Sequence, residues 1–242
     1  MSDKYKIPKI IHQTFMNSRL PNEIIKVIQN NKKVCSDCKF LFYNDKDCDN
    51  FIKKNFSEQI YNAFNKINKV YGAMKADFFR YCVLYKLGGV YLDIKSLIKY
   101  PVFKIIKKDD LCLLDIPRNN LEPWRTNKPT YEQWLLMFCP NHPYLNEMIF
   151  KMVHYIETKY VPTIPNYNVL NSKEKILHVT GPDAFTEAVN DYILKNNIVH
   201  RCIDYSKYFE RIGCENYTII YSVNGKKHYS GYNEPLYIEL KE

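Results

Sequence analysis

The chain of 242 residues carries 35 Lys and Arg against 26 Asp and Glu, a formal charge of +9, with 46% apolar and 15% aromatic residues. That balance excludes a disordered chain and supplies a sizeable core, while only 7 Gly exclude collagen-like architectures. No run approaches the ~20 apolar residues of a membrane helix, and the N-terminus MSDKYKIPKIIHQTF lacks the apolar stretch of a signal peptide. In chain order, Lys9–Phe15 reads as an early buried strand, and Pro21 opens a helix with Ile24, Ile25 and Ile28 on its apolar side. Lys39–Tyr43 is a second strand, Asp45 a candidate N-cap for a helix through Lys54, and Ser57 with Glu58 the start of another.

The stretch Ala73–Ser96, AMKADFFRYCVLYKLGGVYLDIKS, is the most informative. Its apolar residues predict a helix that stops at Gly88-Gly89, where glycine takes the left-handed cap. GVYLD then reads as a strand ending at Asp93. Further strands are expected at Leu111–Ile116 and Trp134–Cys139, helices from Pro143 towards Tyr160 and from Thr180-Gly181-Pro182, and paired strands in the tail segments YTIIYS and LYIEL. Apolar runs alternating with amphipathic stretches define an α/β chain. No linker-like break divides it, so residues 1–242 are read as a single domain.

The charge does not point to nucleic acid. Of the basic residues 29 are Lys and 6 Arg, spread among Asp and Asn as in NDKDCDNFIKKN, and no zinc-finger, RNP or Walker spacing is present. A basic surface suits an anionic small substrate such as a nucleotide diphosphate, or an anionic membrane face. Of the 8 Cys, Cys82, Cys112, Cys139 and Cys202 lie in apolar segments, and the Cys35-x-x-Cys38 pair lacks the ligands of a structural zinc site. A reducing, cytoplasm-like compartment is expected.

Asp77 and Arg80, three apart on the predicted helix, share one face. That helix feeds through the glycine turn into a strand ending in Asp93, and in open α/β sheets ligands gather at the carboxyl ends of strands. A plain helix-surface ion pair is the alternative. His12 and Gln13 read as core residues, Asp115 as a turn or cleft residue, Thr180 as a helix cap, and Trp124 as an acceptor-site candidate.

The segments Ile7–Phe15 (IPKIIHQTF) and Lys75–Ser96 (KADFFRYCVLYKLGGVYLDIKS) resemble the sugar transferases of glycosyltransferase family 32, with further matches at Asn141–Ile149, Thr180–Pro182 and His228–Tyr232. The resemblance implies a GT-A-type nucleotide-sugar-binding fold, a mixed central sheet flanked by helices. It also implies transfer of a sugar from a UDP- or GDP-sugar to a glycan or other acceptor with retained anomeric configuration. Under it, Asp77 and Arg80 hold hydroxyls of the donor sugar, and Tyr91 and Asp93 meet its ribose and diphosphate. Phe15 stacks on the base, and His228 reaches the metal or diphosphate.

The family pattern Asp-x-Asp chelates Mn²⁺ or Mg²⁺, whereas this chain has Asp93-Ile94-Lys95. Three readings stay open. Lys95 neutralises the leaving diphosphate in a metal-independent catalyst, with Asp93 and Lys95 as the catalytic pair. A metal binds through Asp93, water and His228. Or catalysis is lost, leaving a nucleotide-sugar or glycan-binding protein. With no membrane anchor in the sequence and an AT-rich codon signature, the resemblance implies a bacterial or large-virus origin and a cytoplasmic site of action, the host cytoplasm if viral.

Overall fold

A computed structural model describes residues 4–118, 129–160, 170–198, 200–212 and 231–240. Its strands are β1 (Ile10–Thr14), β2 (Lys39–Tyr43), β3 (Gly89–Leu92), β4 (Ser96–Ile98), β5 (Cys112–Asp115), β6 (Leu135–Phe138), β7 (Arg201–Ile203) and β8 (Phe209–Arg211). Its helices are α1 (Asn22–Val34), α2 (Asp45–Asn55), α3 (Glu58–Lys66), α4 (Gly72–Leu87), α5 (Pro143–Glu157), α6 (Ser172–Val179) and α7 (Pro182–Asn196).

Six strands form one mixed sheet in the order β2-β1-β3-β6-β5-β7, in which β6 runs against its neighbours β3 and β5 while the other pairs are parallel. The alternation of side chains along a strand sorts the core onto the two faces. Tyr91, Leu136, Phe138, Cys112 and Leu114 face the large cluster built with α4, α5 and α7. Val90, Leu92, Leu135, Met137 and Leu113 face the second, where Ile98, Val102 and Phe209 cover the sheet. Because both faces are covered, β3, β5 and β6 are buried at every position, which explains why they read as continuous apolar runs.

The corner between α4 and β3 depends on two glycines with positive φ, Gly88 at 63° and Gly89 at 99°. A Cβ at Gly88 would lie 2.6 Å from the Pro140 ring, and one at Gly89 2.6 Å from the Ile10 carbonyl oxygen. Helix and strand therefore meet at a distance only glycine permits. Beside this corner His12 is fully buried, its Nε2–H donating to the Gly88 carbonyl at 2.9 Å while Nδ1 accepts from the Tyr43 hydroxyl at 3.2 Å.

Burial lowers the His12 pKa to about 4, against the opposing Gly88 hydrogen bond, and burial together with His200 lowers His142 to about 4 as well. Both are neutral in the fold but take up protons below ~6.5 once unfolded. Stability is therefore complete above that pH and falls as pH drops towards 4. Burial raises the Asp77 carboxyl to about 6, which acts in the opposite sense, weakening the fold as pH rises from ~4 to 6. Two histidines outweigh one carboxyl. Urea midpoints should drop between pH 7 and pH 5, each histidine contributing about 2 kcal/mol. His12→Gln, whose amide can donate to Gly88 without titrating, should remove about half of the histidine contribution; an unchanged pH slope in that variant would contradict the assignment.

One sequence expectation needs correction, and one helix went unread. The cap of α2 is Asn44, not Asp45: its side chain accepts from Asp47 N–H while Asp47 accepts from Asn44 N–H. The pairing expected between LYIEL and YTIIYS rests on residues outside the description, but the tail's other contacts are defined. Tyr237 makes an isolated bridge with Ile67, and Asn68 N–H and Ile238 N–H bond to Leu236 and Lys66 carbonyls, tying the tail to the α3–α4 connection. Helix α6 was not expected at all, although Asn171 and Glu174 form its capping box. The segment YTIIYS lies outside the described residues.

Candidate active site

Helix α4 is buried from Asp77 to Leu84, so its two charged residues there have no water to face. Burying an unpaired charge is costly, and the structure answers with a closed network. Arg80 Nη2 lies 3.1 Å from Asp77 Oδ1 and 3.2 Å from Asp93 Oδ1, and Nη1 donates to the Gln133 carbonyl at 2.7 Å. Asp77 also accepts from Gln133 Nε2 at 3.2 Å and from the Thr180 hydroxyl at 2.9 Å. The Tyr81 hydroxyl bridges Gln133 and Thr180, bonding the Gln133 side-chain oxygen and the Thr180 carbonyl. Arg80 and Asp77 are buried, and the Asp93 side chain is 24% exposed, so Asp93 forms the wet edge of the cluster.

Strand parity explains why Tyr91 and Asp93 share this site: two residues apart, they project on the α4 side of β3. The Arg80 guanidinium carbon sits 4.6 Å from the Tyr91 ring centroid, a cation–π contact, and the Tyr91 hydroxyl pairs with Thr14 at 2.8 Å. Burial is the main cause of the raised Asp77 pKa, which Arg80, Thr180 and Gln133 pull back and Asp93 pushes further. Three of the roughly four acceptor positions of a carboxylate are already taken on Asp77. Its main effect is therefore to hold Arg80.

After Asp93 the chain makes a tight turn in which Ser96 N–H donates to the Asp93 carbonyl at 2.9 Å. Ile94 is buried in a small cluster with Ile24, against which Phe15, Leu20 and Ile28 pack, while Lys95 is half-buried. Buried Asn31 of α1 fixes the far side of the turn, donating to the Ser96 carbonyl and accepting from Ile98 N–H, both at 2.8 Å.

The structure thus brings Asp77, Arg80, Tyr91 and Asp93 together, with Lys95 in the adjoining turn and Phe15 packed on the Ile94 cluster. His228 and Trp124 lie outside the described residues. Asp115 takes the turn role, accepting from Ile116 N–H and Tyr205 N–H. Sequence reasoning missed Gln133 and Tyr81, and read Thr180 as a helix cap opening a loop towards the phosphates rather than as a partner of Asp77. The available signal was a polar Gln placed just before the buried β6 run.

Among the described residues no helix is long and apolar enough to cross a membrane, and seven cysteines are free thiols. The ion network stands at the carboxyl end of β3, in a mixed sheet flanked by helices. A family described as "Glycosyltransferase sugar-binding region containing DXD motif" matches residues 13–112. An uncharacterized glycosyltransferase, L373, of Acanthamoeba polyphaga mimivirus is 38% identical over 79% of this chain and 67% of its own. An initiation-specific alpha-1,6-mannosyltransferase of Candida albicans is 29% identical over 79% of this chain, which spans 54% of that relative. The UDP-bound glycosyltransferase domain of the YGT toxin superposes with a TM-score of 0.56 at 9% identity, covering 81% of this chain and 79% of that one. The chain belongs to this DXD glycosyltransferase family.

Proposed function

We propose that the chain transfers a sugar from a UDP- or GDP-sugar to a hydroxyl of a glycan or other acceptor, with the donor lying against the Asp93 edge of the ion network. The observation that carries this reading is Arg80 held between Asp77 and Asp93, with only Asp93 reaching the cleft. Membership of the family and the UDP in the YGT toxin domain support a nucleotide-sugar donor. Arg80, itself buried, orients Asp93 to accept from donor hydroxyls, the Tyr91 ring backs the guanidinium, and the Phe15 ring offers a face to the base.

Neither carboxylate is disposed to act as a proton-abstracting base, since Arg80 engages both. The acceptor proton then goes to the departing phosphate oxygen, on the face the leaving group vacates, which retains the anomeric configuration. The free thiols support a reducing, cytoplasmic setting.

The family's second carboxylate ligand is Lys95 here. Asp93 is already engaged by Arg80, and Asp77 by three partners. Two-carboxylate chelation of a divalent cation does not fit this donor set, and no step is assigned to a metal. The testing experiment incubates the protein with UDP- and GDP-sugars and follows release of the nucleoside diphosphate. Turnover of one donor class is expected; a protein that binds neither nucleotide and releases neither product would overturn the reading.

A further inference from the structure

We propose that the Lys95 ammonium group takes over the charge neutralisation that a chelated divalent cation performs at an Asp-x-Asp site, so that donor binding is independent of metal. The inference rests on the donor-site reading above and concerns how that site meets the diphosphate.

The first support is the charge of the cluster. Asp77, Arg80 and Asp93 together carry one net negative charge. A carboxylate at position 95 would raise this to two, a site that repels a diphosphate unless a doubly charged cation enters with it. Lysine at the same position puts a positive charge two residues from Asp93 in place of a second carboxylate. The second support is placement. The Ser96–Asp93 hydrogen bond closes the turn, Ile212 N–H donates to the Lys95 carbonyl at 3.1 Å, and Asn31 grips Ser96 and Ile98. Ile94 anchors in its apolar cluster between the two half-buried charged residues, Asp93 and Lys95. The backbone of residue 95 is therefore fixed beside Asp93.

The bond changes are those of the transfer itself. The bond between the anomeric carbon and the β-phosphate oxygen breaks, with its electron pair staying on that oxygen, and a bond from the anomeric carbon to the acceptor oxygen forms. The acceptor proton passes to the departing phosphate. The Lys95 ammonium stabilises the charge that grows on the leaving diphosphate, as a preorganised cation does.

The test measures binding of UDP and of GDP by calorimetry, in Mn²⁺ and in EDTA, for the wild type, Lys95→Met, Lys95→Arg and Lys95→Asp. The wild type should bind one nucleotide with a Kd in EDTA within about threefold of that in Mn²⁺. Lys95→Met should weaken it by roughly 10- to 100-fold, the loss of one charge-assisted contact, and Lys95→Arg should recover most of it. Lys95→Asp should lose binding in EDTA and regain it by about tenfold or more in Mn²⁺. Circular dichroism melts of each variant establish that the fold is intact. Wild-type binding that requires Mn²⁺ overturns the proposal while leaving the donor site standing. Failure of either nucleotide to bind under any condition overturns the donor-site reading and the proposal with it.

Discussion

Replacing Arg80 with methionine is expected to cost about 3–5 kcal/mol of stability, because it removes the cation paired with buried Asp77. The methionine fills most of the volume, so the loss is electrostatic more than steric. Asp77 then keeps only the Gln133 and Thr180 hydrogen bonds, and its carboxyl, already raised to about 6 by burial, rises further. The penalty should therefore shrink as pH falls and Asp77 takes up a proton. Urea denaturation at pH 7 and pH 5 measures both effects. Asp77→Asn combined with Arg80→Met should recover much of the stability but none of the activity. A single variant as stable as wild type at pH 7 would mean that the network does not hold the fold.

Asp93→Ala should behave in the opposite way. The Asp93 side chain is at the wet edge of the network, and its loss leaves Arg80 paired with Asp77 and the Gln133 carbonyl. Stability should change by about 1 kcal/mol or less, whereas product release from the nucleotide sugar should fall by a factor of ~10²–10³, the usual scale for removing one group that shapes the charge of a transition state. Thermal melting with an assay of the released diphosphate separates the two readouts. Normal turnover in Asp93→Ala would remove Asp93 from the site.

Much of this arrangement was legible because its parts are local. Asp77 and Arg80 share a helix face, the glycine pair marks the corner, and the strand that follows ends at Asp93; Tyr91 came from the family resemblance alone. None of these inferences needs the tertiary fold. Gln133 and Thr180 escaped because they arrive from the start of β6 and the end of α6, and no local period connects them to α4. The three-residue strands β4, β7 and β8 are too short to display alternation. Helix α6 has only eight residues, and its one sequence mark is the Asn171–Glu174 capping box. The α2 cap was misplaced by one position for a similar reason: Asn44 and Asp45 are both good capping residues, and the reciprocal bond with Asp47 decides between them.

The glycine corner has a consequence for how the molecule opens. With Gly88 against Pro140 and Gly89 against the Ile10 carbonyl, α4 and β3 have no slack between them. His12 adds a hydrogen bond at the same place. A fluctuation that exposes the amides of β3 must then release the end of α4 as well, so Asp77, Arg80 and Asp93 belong to a single cooperative opening unit at the stable end of the molecule's range.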